Sequence, residues 1–357
     1  MWLTYLFIAI LLLTMELVYF RIADRFNIID RPNERSSHST IVLRGGGIIF
    51  AISILVWMAW QMADGEWGTV NGYLPFMCGL VLICGVSFWD DVRSLPDSIR
   101  LIAQFIAMGL MLYQCIVHDS QFTVDNWYWG VLTGLTGLIV CVGATNIINF
   151  MDGINGITAG YSLAVLIPLT IENGKWEIEK GAGFIDGSFL IMAVLGVLVF
   201  SFFNFRPKGK AKCFAGDVGS IGIAFIMLFA IGRLIVMSGD VTYLILLLIY
   251  GVDGCLTIIH RIMMHENLGE AHRKHAYQLM ANELKIGHVK VSLLYMALQL
   301  AVSLGFIYLC PNTVTAHWIY LLGAIGVTAI AYIVFMKRFY HLHEAYLESL
   351  REKSDTI

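Results

Sequence analysis

The sequence predicts an all-α, polytopic integral membrane protein of about eleven transmembrane helices, and three observations predict it. Only 14% of the 357 residues are charged and 58% are hydrophobic, where a soluble domain is about 25% charged. Mean hydropathy is +0.74. Apolar runs near 20 residues recur along the whole chain, and a run of that length crosses a hydrocarbon core of about 30 Å at about 1.5 Å per residue.

Taken in order, the candidate spans are 2–20, 46–62, 73–89, 99–117, 129–148, 154–171, 184–203, 218–237, 241–259, 290–310 and 317–336. The first carries no small-residue cleavage motif, so it reads as a retained span and not as a removed signal. The sixth and seventh are the weakest, and the shorter spans require thinning or snorkelling to reach across. Backbone polar groups cannot stay unpaired in lipid, so each run must be helical. Twenty of the 23 Lys and Arg fall in 21–44, 90–100, 204–217, 260–290 and the C-terminal tail, all on one side of an eleven-span chain. That bias puts the N-terminus outside and the C-terminus in the cytoplasm. The division expected is one transmembrane catalytic domain over 1–336, with its site on cytoplasmic loops, and a cytoplasmic tail over 337–357.

A net charge of −3 gives no argument for a nucleic-acid partner. The seven cysteines have no paired spacing and lie mostly in apolar runs; they read as core residues, not as a disulfide framework or zinc site.

The ionisable residues cluster. Asp90 and Asp91 follow span three, Asp152 follows span five, Asp217 opens span eight, and Asp253 lies about two turns inside the end of span nine. Each alone could cap a helix, although an acid inside a span is costly and usually functional. Two carboxylates about 5 Å apart repel by about 3 kcal/mol at an effective dielectric near 20, so several together require a cation or substrate group between them. Oxygen ligands without thiolate favour Mg²⁺ or Mn²⁺, and Mg²⁺ typically takes one or two protein oxygens plus substrate phosphates. Cations lie on the same side: Arg35, His38 and Arg44 before a triple glycine at 45–47, Arg100 opening span four, and His272, Arg273, Lys274 and His275 in EAHRKHAYQ. The last group could contact phosphate or form half a zinc site, with phosphate favoured by the Arg and Lys between the histidines. The glycines could pack helices or bring backbone near a ligand. RPKGKAK at 206–212 reads as a positive-inside anchor.

In this order, RPNERSSHSTIVLRGGGI, DDVRSLPDSIRL, NIINFMDGINGI, FAGDVGSIGIA and VDGCLTIIHRI leading into HRKHAYQ resemble the polyprenyl-phosphate N-acetylhexosamine-1-phosphate transferases (glycosyltransferase family 4), which include WecA-, WbpL- and MraY-type enzymes. The likeness covers nearly the whole chain. It implies a bacterial cytoplasmic-membrane enzyme that passes sugar-1-phosphate from a UDP-N-acetylhexosamine to undecaprenyl phosphate and releases UMP. It also implies that Asp217 and Asn149 hold Mg²⁺ (or Mn²⁺), that Asn155 reads the uracil edge, and that Asp90 and Asp91 deprotonate or orient the lipid phosphate. Asp152 matches the family's acid in its turn. Arg100 stands where many members have lysine. Arg35, His38 and Arg44 lie in the first matching motif, and His272, Arg273 and His275 match the basic loop facing sugar and diphosphate. Two departures are Asn155, where MraY-type members commonly have aspartate, and Leu43, where proline is frequent.

Direct attack by the lipid phosphate on the β-phosphorus is the expected route, with a covalent intermediate on Asp90 or Asp91 as the rival. EAHRKHAYQ resembles the WbpL-like branch, which starts O-antigen or capsule units from UDP-GlcNAc or a deoxy-HexNAc such as FucNAc or QuiNAc. The muramoyl-pentapeptide donor of MraY-type enzymes is the alternative, and an ion-coupled transporter is the reading from another class. A homodimer is left open.

Overall fold

The computed structural model describes residues 2–30, 41–118, 127–267, 269 and 272–354. A helix occupies each of the eleven apolar segments. They are α1 Trp2–Arg25, α2 Ile48–Ala63, α4 Leu74–Val92, α5 Asp97–Tyr113, α6 Trp127–Phe150, α7 Ile157–Lys180, α8 Gly187–Asn204, α9 Gly216–Ser238, α10 Leu248–Met263, α12 His288–Leu309 and α13 Val314–Ser354. Two short helices, α3 Trp67–Gly72 and α11 Ala276–Asn282, lie in connections. Nine of the described helical stretches are long and apolar enough to cross a membrane. Of the other two, α2 has 16 residues, and α7 has 24 but ends in Glu172, Lys175, Glu177, Glu179 and Lys180.

The centre of the bundle is α9, buried without a break from Val218 to Ile231. A helix apolar on every side requires neighbours on every side, and α2, α4, α5, α6 and α7 supply them. By contrast, α1 and α13 expose rows of large apolar side chains, among them Phe7, Ile10, Ile319, Leu322, Ile330 and Val334. Two elements depart from the simple span picture. The ninth segment begins as a 3-10 helix, Val241–Leu247, before α10 starts. The buried Gln299 of α12 supplies partners there, accepting from the Ile249 N–H (3.0 Å) and donating to the Ile245 carbonyl (3.0 Å). The last helix does not stop at residue 336. It runs unbroken to Ser354, so residues 337–354 of the expected tail continue α13.

A small ladder sets the geometry at one end. Ile29–Asp30 pairs antiparallel with Val42–Leu43, and Leu43 bridges in parallel to Cys213. The next links are Phe214 N–H to Leu43 O (2.8 Å), Gly46 N–H to Phe214 O (2.8 Å) and Gly47 N–H to Ala215 O (3.1 Å). This draws the triple glycine onto the start of α9. A Cβ on Gly47 would lie 2.4 Å from the Gly219 Cα, and one on Gly46 would lie 2.6 Å from the Cys213 Sγ. Of the two readings of that motif, packing is the one the contacts support.

Gly47→Ala therefore forces α2 away from α9, an overpacking cost of about 1–3 kcal/mol, and should lower the melting temperature in detergent. Gly68→Ala, where an added Cβ meets nothing within 4 Å, should leave it unchanged or slightly raised.

Candidate active site

The first four N–H groups of a helix lack intrahelical partners and carry the positive end of its dipole. The residue preceding α9, Ala215, makes no side-chain cap. Asp91, from the last turn of α4, does so instead: Oδ1 accepts the Asp217 N–H and Oδ2 the Val218 N–H, both at 2.9 Å. The Arg44 Nε lies 2.7 Å from the same Oδ1, and the Asp91 side chain is fully buried. Only glycine fits at 216, where φ is +69° and a Cβ would lie 2.6 Å from Asp91 Oδ2.

Asp90, one residue earlier, points elsewhere. Its Oδ1 accepts the Leu95 N–H at 2.6 Å and its Oδ2 lies 3.1 Å from Arg100 Nη1. Arg100 also pairs with Asp97. The Asp217 Oδ2 lies 3.7 Å from both Arg44 Nη2 and Arg100 Nη1. One carboxylate thus sits between two guanidinium groups drawn from loop one and from α5.

The turn between α6 and α7 faces this cluster. Asn149 Oδ1 accepts the Ser220 hydroxyl at 2.6 Å; Ser220 is one turn beyond Asp217 on α9, so amide and carboxylate share a helix face. Asp152 accepts the Thr158 hydroxyl. Burial pushes the Asp152 carboxyl up to about 6, against the lowering effect of that hydroxyl and with a contribution from the Asp91 charge. Asn155 is held on several sides. Its side-chain amide donates to the carbonyls of Arg206 (2.9 Å) and Pro207 (3.1 Å), its backbone N–H donates to His288 Nδ1 (3.2 Å), and its backbone carbonyl accepts the Ser292 hydroxyl (2.9 Å). Both amide hydrogens being used, Oδ1 is the atom left for a ligand.

These groups share one cavity of about 240 Å³, lined among others by Arg44, Asn149, Asp152, Asn155, Asn204, Asp217, Gln278 and His288. The expected residues Asp90, Asp91 and Arg100 flank it through their ion pairs with Arg44 and Asp217. Arg35 and His38 lie outside the described residues. The polar lining residues Asp30, Asn204, Gln278 and His288 went unnoticed in the sequence. Asn204, ending α8, joins two loops by accepting the Gly156 N–H (2.7 Å) and donating to the Cys213 carbonyl (2.8 Å). Its signal was an amide closing an apolar span. Gln278 lies in the first turn of the short α11 and His288 opens α12, with no pattern to mark either.

The basic loop does not line the cavity. His275 is buried, with Nδ1 3.2 Å from Asp253 Oδ1, and it caps α11. Asp253 also accepts from Tyr295 (2.6 Å) and the Ala276 N–H (3.2 Å), which explains an acid inside a helix: it anchors this loop. Arg273 turns to Glu283 (2.7 Å). His272 packs edge-on against Phe150, and burial, then the neighbouring His275, hold its imidazole down at about 3. It is neutral at pH 7. His272 Nδ1, Arg273 Nε and His275 Nε2 are buried and make no hydrogen bond within the described protein.

The cavity's donor set of carboxylate and carboxamide oxygens without thiolate fits a hard divalent cation. No three His, Cys, Asp or Glu side chains converge on one metal position among the described residues. That leaves room for ligands from a bound phosphate, as Mg²⁺ commonly uses.

Fold and site together define a multi-pass membrane protein whose bundle gathers acids, amides and guanidinium groups around a polar pocket at one end. The family model described as glycosyl transferase family 4 matches residues 73–235. A phospho-N-acetylmuramoyl-pentapeptide-transferase of Thermotoga neapolitana is 31% identical over 61% of this chain and 68% of its own length. A probable undecaprenyl-phosphate N-acetylglucosaminyl 1-phosphate transferase of Bacillus subtilis is 26% identical over 73% of this chain and 72% of its length. A decaprenyl-phosphate N-acetylglucosaminephosphotransferase of Mycobacterium leprae is 25% identical over 88% and 84%. Matches to three further pentapeptide-transferases span only 56–60% of those relatives. The chain belongs to this family, the polyprenyl-phosphate N-acetylhexosamine-1-phosphate transferase superfamily, and is a multi-pass protein of the bacterial cytoplasmic membrane.

Asp91→Asn replaces an acceptor oxygen by an N–H₂ facing a backbone N–H and strands Arg44. A buried donor left unsatisfied costs about 1–3 kcal/mol, so this variant should melt lower than wild type, and lower than Asp97→Asn, whose side chain is exposed.

Proposed function

We propose that the protein transfers N-acetylhexosamine-1-phosphate from a UDP-sugar to undecaprenyl phosphate, releasing UMP, with the pocket at the cytoplasmic face and the N-terminus outside. The observation that carries this reading is the convergence of Asn149, Asp152, Asn155, Asp217 and Arg44 on one cavity from three distant parts of the chain. The orientation rests on the one-sided placement of Lys and Arg. Asp217 and Asn149 would hold Mg²⁺ (or Mn²⁺), which when bound neutralises diphosphate charge.

The chain's own groups account for the rest. Asn155 Oδ1 accepts the N3–H of uracil. Arg44 and Arg100, already within reach of one carboxylate, grip phosphate oxygens in the forked geometry of guanidinium. Asp152, a carboxylate with a raised pKa, takes or orients the proton of the incoming lipid phosphate, and Asp90 supports it through Arg100. The lipid phosphate oxygen attacks the β-phosphorus directly, a transfer that asks mainly for alignment and charge neutralisation. Engagement of both Asp91 oxygens, by two backbone N–H groups and Arg44, supports this route over a covalent one on Asp91; a phosphorylated enzyme trapped with UDP-sugar alone would reverse that preference. The three buried nitrogens of the basic loop support contact with an oxygen-rich group such as the sugar or its phosphate.

The donor is UDP-GlcNAc or a deoxy-HexNAc such as UDP-FucNAc or UDP-QuiNAc, feeding O-antigen, capsule or related envelope polysaccharide. The name of the relative at 31% identity favours a second reading, with a muramoyl-pentapeptide nucleotide as donor.

Purified protein with undecaprenyl phosphate and a panel of these donors should release UMP with one HexNAc donor, and with the muramoyl-pentapeptide donor only if the second reading holds. Asp217→Asn should lower turnover by at least about a hundredfold at near-normal expression. If Asp152 works as the carboxylate, its pKa of about 6 leaves it mostly ionised at pH 7. The kcat/KM should therefore fall as pH drops through about 6, and the residual activity of Asp152→Asn should lack that acidic limb.

A further inference from the structure

We propose that the C-terminal end of α13, beyond its membrane-crossing part, is a clamp that holds Arg273 and α11 in the geometry the pocket needs, with Glu283, His343 and Tyr346 as its positioning residues. This rests on the transferase reading for its consequence, though not for its existence.

The clamp is built on one stripe of α13. Tyr332, Phe335, Met336, Phe339 and Tyr340 recur at helical spacing and pack with Ala276 and Leu279 of α11. Thr257 and Tyr332 share a hydrogen bond of 2.8 Å, and the His260 ring lies 4.7 Å from that of Tyr340, so the same stripe grips α10. One turn further, His343 is buried and its Nδ1 lies 3.1 Å from Glu283 Oε1. That oxygen also takes Arg273 Nη2 at 2.7 Å. The Arg273 Cζ stands 4.4 Å from the centre of the Tyr346 ring, a cation–π contact. A guanidinium fixed in plane by a carboxylate and on its face by an aromatic ring has lost its rotamer freedom before any ligand arrives. That loss is then not charged to binding or to the transition state.

The clamped element reaches the site by two routes. Gln278 of α11 lines the cavity, and the Tyr277 hydroxyl donates to the Phe150 carbonyl at 3.0 Å, against the turn that carries Asp152. Arg273 also retains a buried Nε with no hydrogen bond in the described protein. Lys208, in the loop whose carbonyls hold Asn155, lies in the field of Arg273; burial and that charge together lower its pKa.

The test uses the full chain in detergent or nanodiscs. Phenylglyoxal labelling of Arg273, read by peptide mass spectrometry, should be slow in wild type and Tyr346→Phe, which keeps the ring. It should be at least about tenfold faster in Tyr346→Leu and His343→Ala, and slow again in His343→Asn, which keeps a donor at the Nδ1 position. Equal labelling in all five proteins would overturn the clamp, whatever the activity. With the donor that wild type uses, Tyr346→Leu should lower kcat by about ten- to a hundredfold, at an unchanged melting temperature and an unchanged KM for the lipid. Faster labelling with unchanged kcat would remove the positioning role. A wild type that releases no UMP from any donor would sink the transferase reading, while the labelling would still decide the clamp.

Discussion

The pocket depends on one carboxylate that never enters it. Asp91 leaves α4 and closes the N-terminus of α9, taking two backbone N–H groups and the Nε of Arg44. A buried charge is tolerated only when it is paired and fully hydrogen-bonded, and here each bond fixes a different part of the site. The backbone bonds set where α9 starts, and so where Asp217 points. The ion pair sets Arg44, and the backbone pairs Leu43–Cys213, Phe214–Leu43 and Gly46–Phe214 hold the segment on either side of it.

The other buried polar groups follow the same logic. Gln299 supplies partners where a 3-10 helix becomes α10, Asn204 joins the end of α8 to two loops, and Asp253 holds the start of α11. In a medium without water each must find its partners within the protein, and each finds them at a helix end. Polar residues in this bundle therefore fall into two groups. Asp91, Asp253, Gln299 and Asn204 spend their atoms on architecture, although Asn204 also borders the cavity. Asp152 and Asp217 keep a face toward the pocket.

That division is what the sequence could not display. Helix positions were legible because apolar runs of about 20 residues have few other solutions, and the convergence of Asn149, Asp152, Asn155 and Asp217 was legible because acids and amides have no cheap place in such a chain. Asp90 and Asp91, adjacent in sequence, looked like a pair with one task. They differ because successive helical residues point about 100° apart, so one meets α9 and the other meets Arg100. The basic loop looked like a row of phosphate ligands, yet three of its side chains turn to Asp253, Glu283 and Phe150. Those partners lie on other elements, and no spacing within the loop could announce them. Likewise, nothing in residues 337–354 distinguishes a solvated tail from the continuation of a helix whose stripe packs on α10 and α11.

The two sides of the site consequently differ in kind. On the acidic side the fixed charges are paired: Asp91 and Asp90 are bonded at both oxygens, and the Asp217 Oδ2 is flanked by two arginines. Such a side is preorganised, and its electrostatics cost no rearrangement when charge arrives. On the basic side His272, Arg273 and His275 each keep a buried nitrogen without a partner in the described protein, an expense that a folded chain rarely leaves standing. A ligand rich in oxygen would relieve it. The acidic side thus draws its order from partners within the bundle, whereas the basic side keeps three buried nitrogens that no described residue satisfies.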